Sequence, residues 1–188
     1  MNAFGWIAVP LAMIFGLGIT RLLTAGVAVF KTRERAQLDW VPIAWAACTF
    51  ILLLQYWWAV IELTTVVEVW TLGKFLLLLS LALFLFVAAA LVLPHKGLRK
   101  DGDLSESFKR DGRWALCFLS GYFLLAMLTN WVIWGVSPIA FWGGYLMVQI
   151  LLPLAFLAVP SRRARETITI LFVGMTIWAS WELSPKSY

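Results

Sequence analysis

Long apolar runs, several of them 20 residues or more, are the feature that most constrains how this chain can fold. Residues 41–66 and 70–93, for example, each contain a single charged side chain. A helix of about 20 residues, rising 1.5 Å per residue, crosses the ~30 Å hydrocarbon core of a bilayer. Hydrophobic residues make up 62% of the 188 residues and charged ones 13%, a balance too apolar for a water-soluble protein. The sequence therefore predicts an integral membrane protein.

We predict a single all-α membrane domain over residues 1–188 with six transmembrane helices. Lipid offers no hydrogen-bond partners to the backbone, and a helix pairs its backbone groups within its own segment, so continuous apolar runs indicate helices. The connectors between spans two and three and between spans four and five are short, which predicts two antiparallel hairpins. The predicted spans are residues 4–30, 41–66, 70–93, 114–135, 138–159 and 167–183.

Basic residues are concentrated in the first, third and fifth predicted loops, which hold twelve of the 15 lysines and arginines. Short cytoplasmic loops carry such an excess. We therefore expect these loops, including residues 94–113, to be cytoplasmic and both termini to be extracytoplasmic, in a bacterial inner membrane. The N-terminal residues lack the basic region of a secretory signal peptide, so we expect a retained first helix. The twelve residues are Lys31, Arg33, Arg35, Lys96, Arg99, Lys100, Lys109, Arg110, Arg113, Arg162, Arg163 and Arg165.

These basic clusters predict contact with anionic lipid headgroups at the cytoplasmic face. They do not form one stripe with interleaved aromatic residues, so we expect no nucleic-acid binding. The third loop is too short for the core of a soluble domain. Within it, Asp103 followed by Glu106 predicts the capped start of a short interfacial helix.

One arginine, Arg21, lies near the middle of the first span. It is nine residues from Phe30, which places it about 14 Å deep. A cation there costs at least ~2.5 kcal/mol and usually has a function. Gln55 and Gln149 also lie inside the predicted core, and we predict that they complete a substrate- or ion-binding site around Arg21 for an anion or small polar solute. The alternative is that Arg21 is a structural clasp.

Two further patterns predict packing contacts. Glu62 and Lys74 lie near the outer boundary of their spans, where we expect a structural ion pair. Gly16, Thr20 and Thr24 form a row of small residues at a spacing of four, which is typical of close helix packing in membranes.

The chain offers few groups for covalent or metal chemistry. Cys48 and Cys117 lie in apolar runs without metal-type spacing, and His95 is the single histidine. We predict no metal site, no cofactor and no catalytic residues, and hence a protein that is not an enzyme.

Two functional interpretations stay open. One is an oligomeric channel or transporter centred on Arg21. The other is a non-catalytic structural or assembly subunit of a larger membrane complex. Six helices of this length enclose few polar groups, so Arg21 is expected to need a partner from outside the subunit. Either interpretation predicts a homo-oligomer or a membrane-complex partner.

Overall fold

A computed structural model describes residues 3–34, 37–67, 69–95, 103–135, 137 and 141–182. Its long segments are helical, which confirms the all-α class. A π-helical turn, Phe108–Gly112, joins the fourth helix to the fifth. The helices are α1 Ala3–Lys31, α2 Trp40–Val66, α3 Leu72–Leu91, α4 Leu104–Ser107, α5 Arg113–Trp134, α6 Phe141–Ala158 and α7 Arg162–Glu182.

Local side-chain chemistry explains where several helices begin and end. The Asp39 carboxylate accepts a hydrogen bond from Val41 N at 3.1 Å, and that of Asp103 accepts one from Ser105 N at 2.8 Å. Each satisfies an N–H group that the first turn of a helix leaves without a partner. The predicted capping role of Asp103 is therefore confirmed. At the other end of the bundle α5 stops at Gly135, whose φ of 64° is the left-handed conformation that glycine adopts without strain.

Five helical segments are long and apolar enough to cross a membrane, as expected for an integral membrane protein. α7 does not meet that standard, because its first turn is strongly charged and lowers its mean hydropathy. The predicted sixth span, residues 167–183, falls on α7 except for its last residue, which lies outside the described residues. The five segments are Gly5–Lys31, Trp40–Leu63, Leu72–Leu91, Leu104–Ile133 and Phe141–Ala158.

The long helices of the described chain form a ring in which each helix contacts at least two others, in the order α1, α3, α5, α6, α7, α2 and back to α1. α2 also contacts α3. The two predicted hairpins, α2–α3 and α5–α6, are therefore packed pairs. α1 is the most peripheral of the five apolar segments. Of its 18-residue apolar stretch 17% is buried inside the protein, compared with 44% of the corresponding stretch of α2.

The three basic loops meet at one end of the ring. Leu104 N donates a hydrogen bond to the carbonyl of Gln37 at 3.1 Å, which joins the third loop to the first. The guanidinium of Arg162 lies 3.6 Å from the carboxylate of Asp39, which joins the fifth loop to the first. We call this end of the bundle the basic end and the opposite end the far end.

α7 extends from one end of the bundle to the other. Near the basic end, Trp45 Nε1 donates to Thr169 Oγ1 at 3.1 Å. Near the far end, the ring of Trp178 stacks on that of Trp142, at the start of α6, with centroids 5.8 Å apart. α7 therefore lies alongside α2 and α6 over most of its length.

Close packing of α3 against α5 requires Gly121, because a Cβ atom there would overlap the ring of Phe84. That ring is held edge-on against Phe118, with centroids 5.4 Å apart. We expect Gly121→Ala to lower the free energy of unfolding by about 1–3 kcal/mol, as overpacking does. Thermal unfolding in detergent micelles measures the change.

The matched control is Gly174→Ala, since a Cβ atom at Gly174 meets nothing within 4 Å. Alanine is the better helix former by about 1 kcal/mol, so this variant should be as stable as the wild type or slightly more stable. Equal stability of the two variants would contradict the close approach of α3 and α5.

Candidate functional site

The two predicted glutamines, Gln55 and Gln149, belong to hydrogen-bond networks that reach α7 from its two neighbouring helices, α2 and α6. On α2, Gln55 Nε2 donates to the carbonyl of Thr176 at 3.2 Å and to Ser180 Oγ at 2.7 Å. On α6, Gln149 Nε2 donates to Tyr145 Oη at 2.8 Å, and this hydroxyl donates in turn to a main-chain carbonyl of α7 at 3.4 Å. We call the side chains of Gln55, Tyr145, Gln149 and Ser180, with these α7 carbonyls, the glutamine cluster. The cluster ties α7 to both of its neighbours.

One atom of this cluster has an unmet hydrogen bond. Gln149 is fully buried, and its Oε1 has no partner among the described residues. A buried acceptor without a partner costs about 1–3 kcal/mol. A donor on a bound water or solute that reached the cluster would remove that cost.

No hydrogen bond joins Arg21 to these glutamines in the described part of the chain. Gly18, one turn away on α1, packs against Leu53 of α2, whereas Gln55 bonds on the side of α2 that faces α7. Arg21 is half-buried. Within the part of the chain that the structure describes, its guanidinium forms no hydrogen bond or ion pair. Among the described residues, Arg21 therefore bonds to neither glutamine, and the three-residue site stays a prediction.

The predicted ion pair between Glu62 and Lys74 is likewise not formed between these two described side chains. Glu62 Oε1 accepts a hydrogen bond from Trp58 Nε1, one turn earlier on α2, at 3.0 Å. Lys74 Nζ donates to the carbonyl of Val69 at 3.0 Å. Each side chain bonds a nearer neutral group.

A cavity of about 330 Å³ lies in the far-end half of the bundle, between α2, α3, α5, α6 and α7. Its walls are mainly aliphatic and aromatic, with a few polar groups, the composition and size typical of small-molecule sites. Of the α2 residues that line it, Leu52 is the nearest to the basic end, whereas Glu62 and Asn130 lie toward the far end. We call it the far-end cavity.

Tyrosines are the cavity-lining residues that the sequence analysis did not single out. Three of the four tyrosines in the chain, Tyr56, Tyr122 and Tyr145, line the far-end cavity. The depth of these tyrosines along their helices could have indicated a polar site inside the bundle. Tyr122 lies nine residues into α5 from Arg113, about 14 Å along the helix, where an interfacial tyrosine would not be.

The charge of the lining limits what the far-end cavity can bind. Among the described residues that line it, Glu62 is the only acid, and no lysine or arginine is present. The faces of aromatic rings such as Trp142 and Tyr145 attract cations. This cavity is therefore suited to a neutral or cationic solute with an apolar part, and it offers no charge partner to an anion.

Below the cavity, three aromatic rings fill the centre of the bundle. The centroid of Trp45 lies 4.4 Å from that of Phe172 and 5.5 Å from that of Phe156. Trp45 and Phe172 have no exposed surface. Phe123, which lines the cavity, contacts Phe172 at 6.1 Å. These rings, which we call the aromatic layer (Trp45, Phe156 and Phe172), lie between Phe123 of the far-end cavity and the basic end.

A second cavity, of about 490 Å³, lies on the other side of the aromatic layer. We call it the basic-end pocket. It is bounded by the starts of α2, α5 and α7, the π-helical turn and the end of α6, and Phe156 forms part of its wall. A hydrogen bond to Glu166, together with the charge of Asp39, raises the pKa of Arg162. The charged residues of its lining are Asp39, Lys109, Arg113, Arg162, Arg165 and Glu166.

The glutamine cluster generates a paired prediction. Gln55→Leu removes two hydrogen bonds to α7 and should lower stability by about 1 kcal/mol. Gln149→Leu removes one hydrogen bond, from Nε2 to Tyr145 Oη, together with the buried Oε1 that has no described partner, and it keeps the volume. These two effects oppose each other, so stability should change less than in Gln55→Leu. Thermal unfolding of both variants measures this. A larger loss for Gln149→Leu than for Gln55→Leu would show that its carbonyl is satisfied in the folded protein.

Comparison with known proteins yields no match to a protein-family model, a curated protein sequence or a solved structure. The function of this chain is therefore inferred from the geometry and chemistry of its own residues.

Proposed function

We propose that this integral membrane protein is a transporter or channel that binds a small neutral or cationic solute in the far-end cavity. The observation that carries this proposal is a cavity with polar groups in an apolar wall, with the buried rings of the aromatic layer on its basic-end side. We infer that these rings close it. A solute can cross only if those rings move, which favours a transporter over an open channel. The solute undergoes no chemical conversion in this role.

We also propose the orientation that the basic loops indicate, with the basic end in the cytoplasm, both termini outside and α7 as a sixth span. The polar residues of α7 support this, because Thr169 and Thr176 are buried and donate to carbonyls of their own helix at 2.8 Å. The face of α7 with Ile170, Ile177 and Trp178 is exposed and apolar, as contact with lipid requires. α7 is therefore better suited to a membrane than its mean hydropathy indicates.

Cysteine labelling in intact cells tests the sixth span. In a Cys48→Ala, Cys117→Ala background, an impermeant thiol reagent should label Trp181→Cys and should not label Arg163→Cys, since the two positions lie at opposite ends of α7. Permeabilised cells provide the control, in which both should react. Protection of both positions in intact cells would exclude a membrane-spanning α7.

A cavity-filling variant tests the solute site. Ala126 lines the far-end cavity, whereas Ala47 is exposed on the outside of α2. Using benzyltrimethylammonium as a cationic probe, we expect Ala126→Phe to weaken binding at least about tenfold by occupying the cavity, and Ala47→Phe to leave binding within about twofold. Thermal stabilisation by the probe and its flux into proteoliposomes are the two measurements.

Benzoate serves as the anionic comparison, since it also joins a phenyl ring to one charge. Tighter binding of benzoate than of the cation would contradict the proposed solute class. Binding of the cation without any flux would reduce the proposal to a binding protein. Equal binding by the two phenylalanine variants would place the site elsewhere.

A second candidate function, a subunit of a larger membrane complex, is favoured by α1. Gly16, Thr20 and Thr24 are exposed on this peripheral helix, next to a half-buried Arg21. Two copies joined through this face would bring two like charges together near the bilayer centre. In the described part of the chain, no carboxylate lies at that depth to offset them. We therefore propose that this face contacts a different membrane helix, one that carries a carboxylate at mid-depth, while self-association through another face stays a prediction.

A designed transmembrane peptide tests this second candidate. In liposomes, a Leu-Ala helix with one central Glu should associate with the wild type at least about tenfold more tightly than the same helix with Leu there. Fluorescence energy transfer measures the association. Arg21→Leu should abolish the difference, whereas Arg163→Leu should keep it. A difference that survives in Arg21→Leu would contradict the role of this arginine.

A further inference from the structure

We propose that the basic-end pocket is a specific site for the phosphate group of an anionic phospholipid. The aromatic layer separates this pocket from the solute site. The inference rests on the proposed orientation, which places the pocket at the cytoplasmic membrane interface, and does not depend on transport.

The charges of the pocket are unbalanced in favour of cations. Both carboxylates of its lining are already engaged by one residue, because Arg162 Nε lies 3.0 Å from Glu166 and its Nη2 lies 3.6 Å from Asp39. Of the three other cations, Arg165 is held in place, since its Nε donates to a carbonyl at the end of α6 at 2.8 Å. The remaining two, Lys109 and Arg113, have no carboxylate partner among the described residues. Four cations against two carboxylates leave an excess of two positive charges for an anion.

The pocket is built by the fold, which distinguishes it from a diffuse basic surface. Lys109 and Arg113 are four residues apart across the junction of the π-helical turn with α5, a spacing that places two side chains on one face of a helix. Arg165 comes from α7, and its guanidinium lies over the ring of Phe156 at 5.5 Å. Three cations from two distant parts of the sequence thus line one concave space.

The rest of the lining favours a lipid over a soluble phosphate. Below the cations the wall is apolar, with Val41, Leu116 and Leu157. Trp114 and Cys117 also line the pocket and are exposed on α5, which gives the pocket an opening toward the bilayer. A charged rim above an apolar wall fits a headgroup phosphate with its acyl chains beside α5. An inorganic phosphate would use only the rim.

Lipid binding to the purified full-length protein in neutral detergent tests this site. Native mass spectrometry would compare short-chain phosphatidylglycerol with phosphatidylcholine of the same chains, and inorganic phosphate would be added as a competitor. The pocket variant is Lys109→Gln with Arg113→Gln. The matched control is Lys31→Gln with Arg163→Gln, which removes two cations from the same end of the bundle but outside the pocket lining. Thermal unfolding shows that both variants are folded.

We expect the wild type to prefer phosphatidylglycerol, the pocket variant to bind it about 10- to 30-fold more weakly and the control to bind it within about twofold of the wild type. Equal losses in the two variants would show only diffuse attraction to the basic end and overturn the proposal. Unchanged binding in the pocket variant would also overturn it. Displacement of the lipid by inorganic phosphate at similar concentrations would identify a soluble anion as the occupant and exclude the lipid assignment.

Discussion

Hydrogen bonds to α7 are the interaction on which the rest of this structure depends. α7 is the least apolar of the long helices, and in a bilayer its polar groups must find partners inside the protein. They do so through Trp45 and Gln55 of α2 and Tyr145 of α6. These contacts close the ring of helices. α7 supplies Ala179 to the far-end cavity and Arg165 to the basic-end pocket, so it forms part of the wall of both.

The two cavities differ in charge as well as in position. The far-end cavity has a single acid and several aromatic rings, whereas the basic-end pocket has an excess of cations. The aromatic layer lies between them without an exposed atom of Trp45 or Phe172. The indole of Trp45 is fixed by its bond to Thr169, so movement of the layer requires that α2 and α7 shift together or that this bond breaks. The proposed transport cycle would therefore involve the α2–α7 contact.

The sequence predicts much of this fold because its strongest signals are local. Apolar length locates the helices, and the basic loops predict which ends meet, as the contacts of Gln37 and Asp39 with distant loops show. Counting residues gives the depth of a side chain but not the direction in which it points around its helix. Arg21 and Gln55 have plausible depths for a shared site, yet Gln55 bonds to α7, whereas α1 packs mainly against α2 and α3. The order of helices around the ring is a property of the whole chain, and the tyrosine-lined cavity follows from that order.

Accessibility of the far-end cavity to water tests the central claim most directly. In the background without native cysteines, Ala59→Cys places a thiol in the cavity lining, and Ala46→Cys places one beside Trp45, where the native residue is 7% exposed. A small impermeant thiol reagent added outside the cell should react with Ala59→Cys and leave Ala46→Cys unmodified. Equal reaction of the two positions, or no reaction at Ala59→Cys, would contradict a cavity that is open at the far end and closed by the aromatic layer.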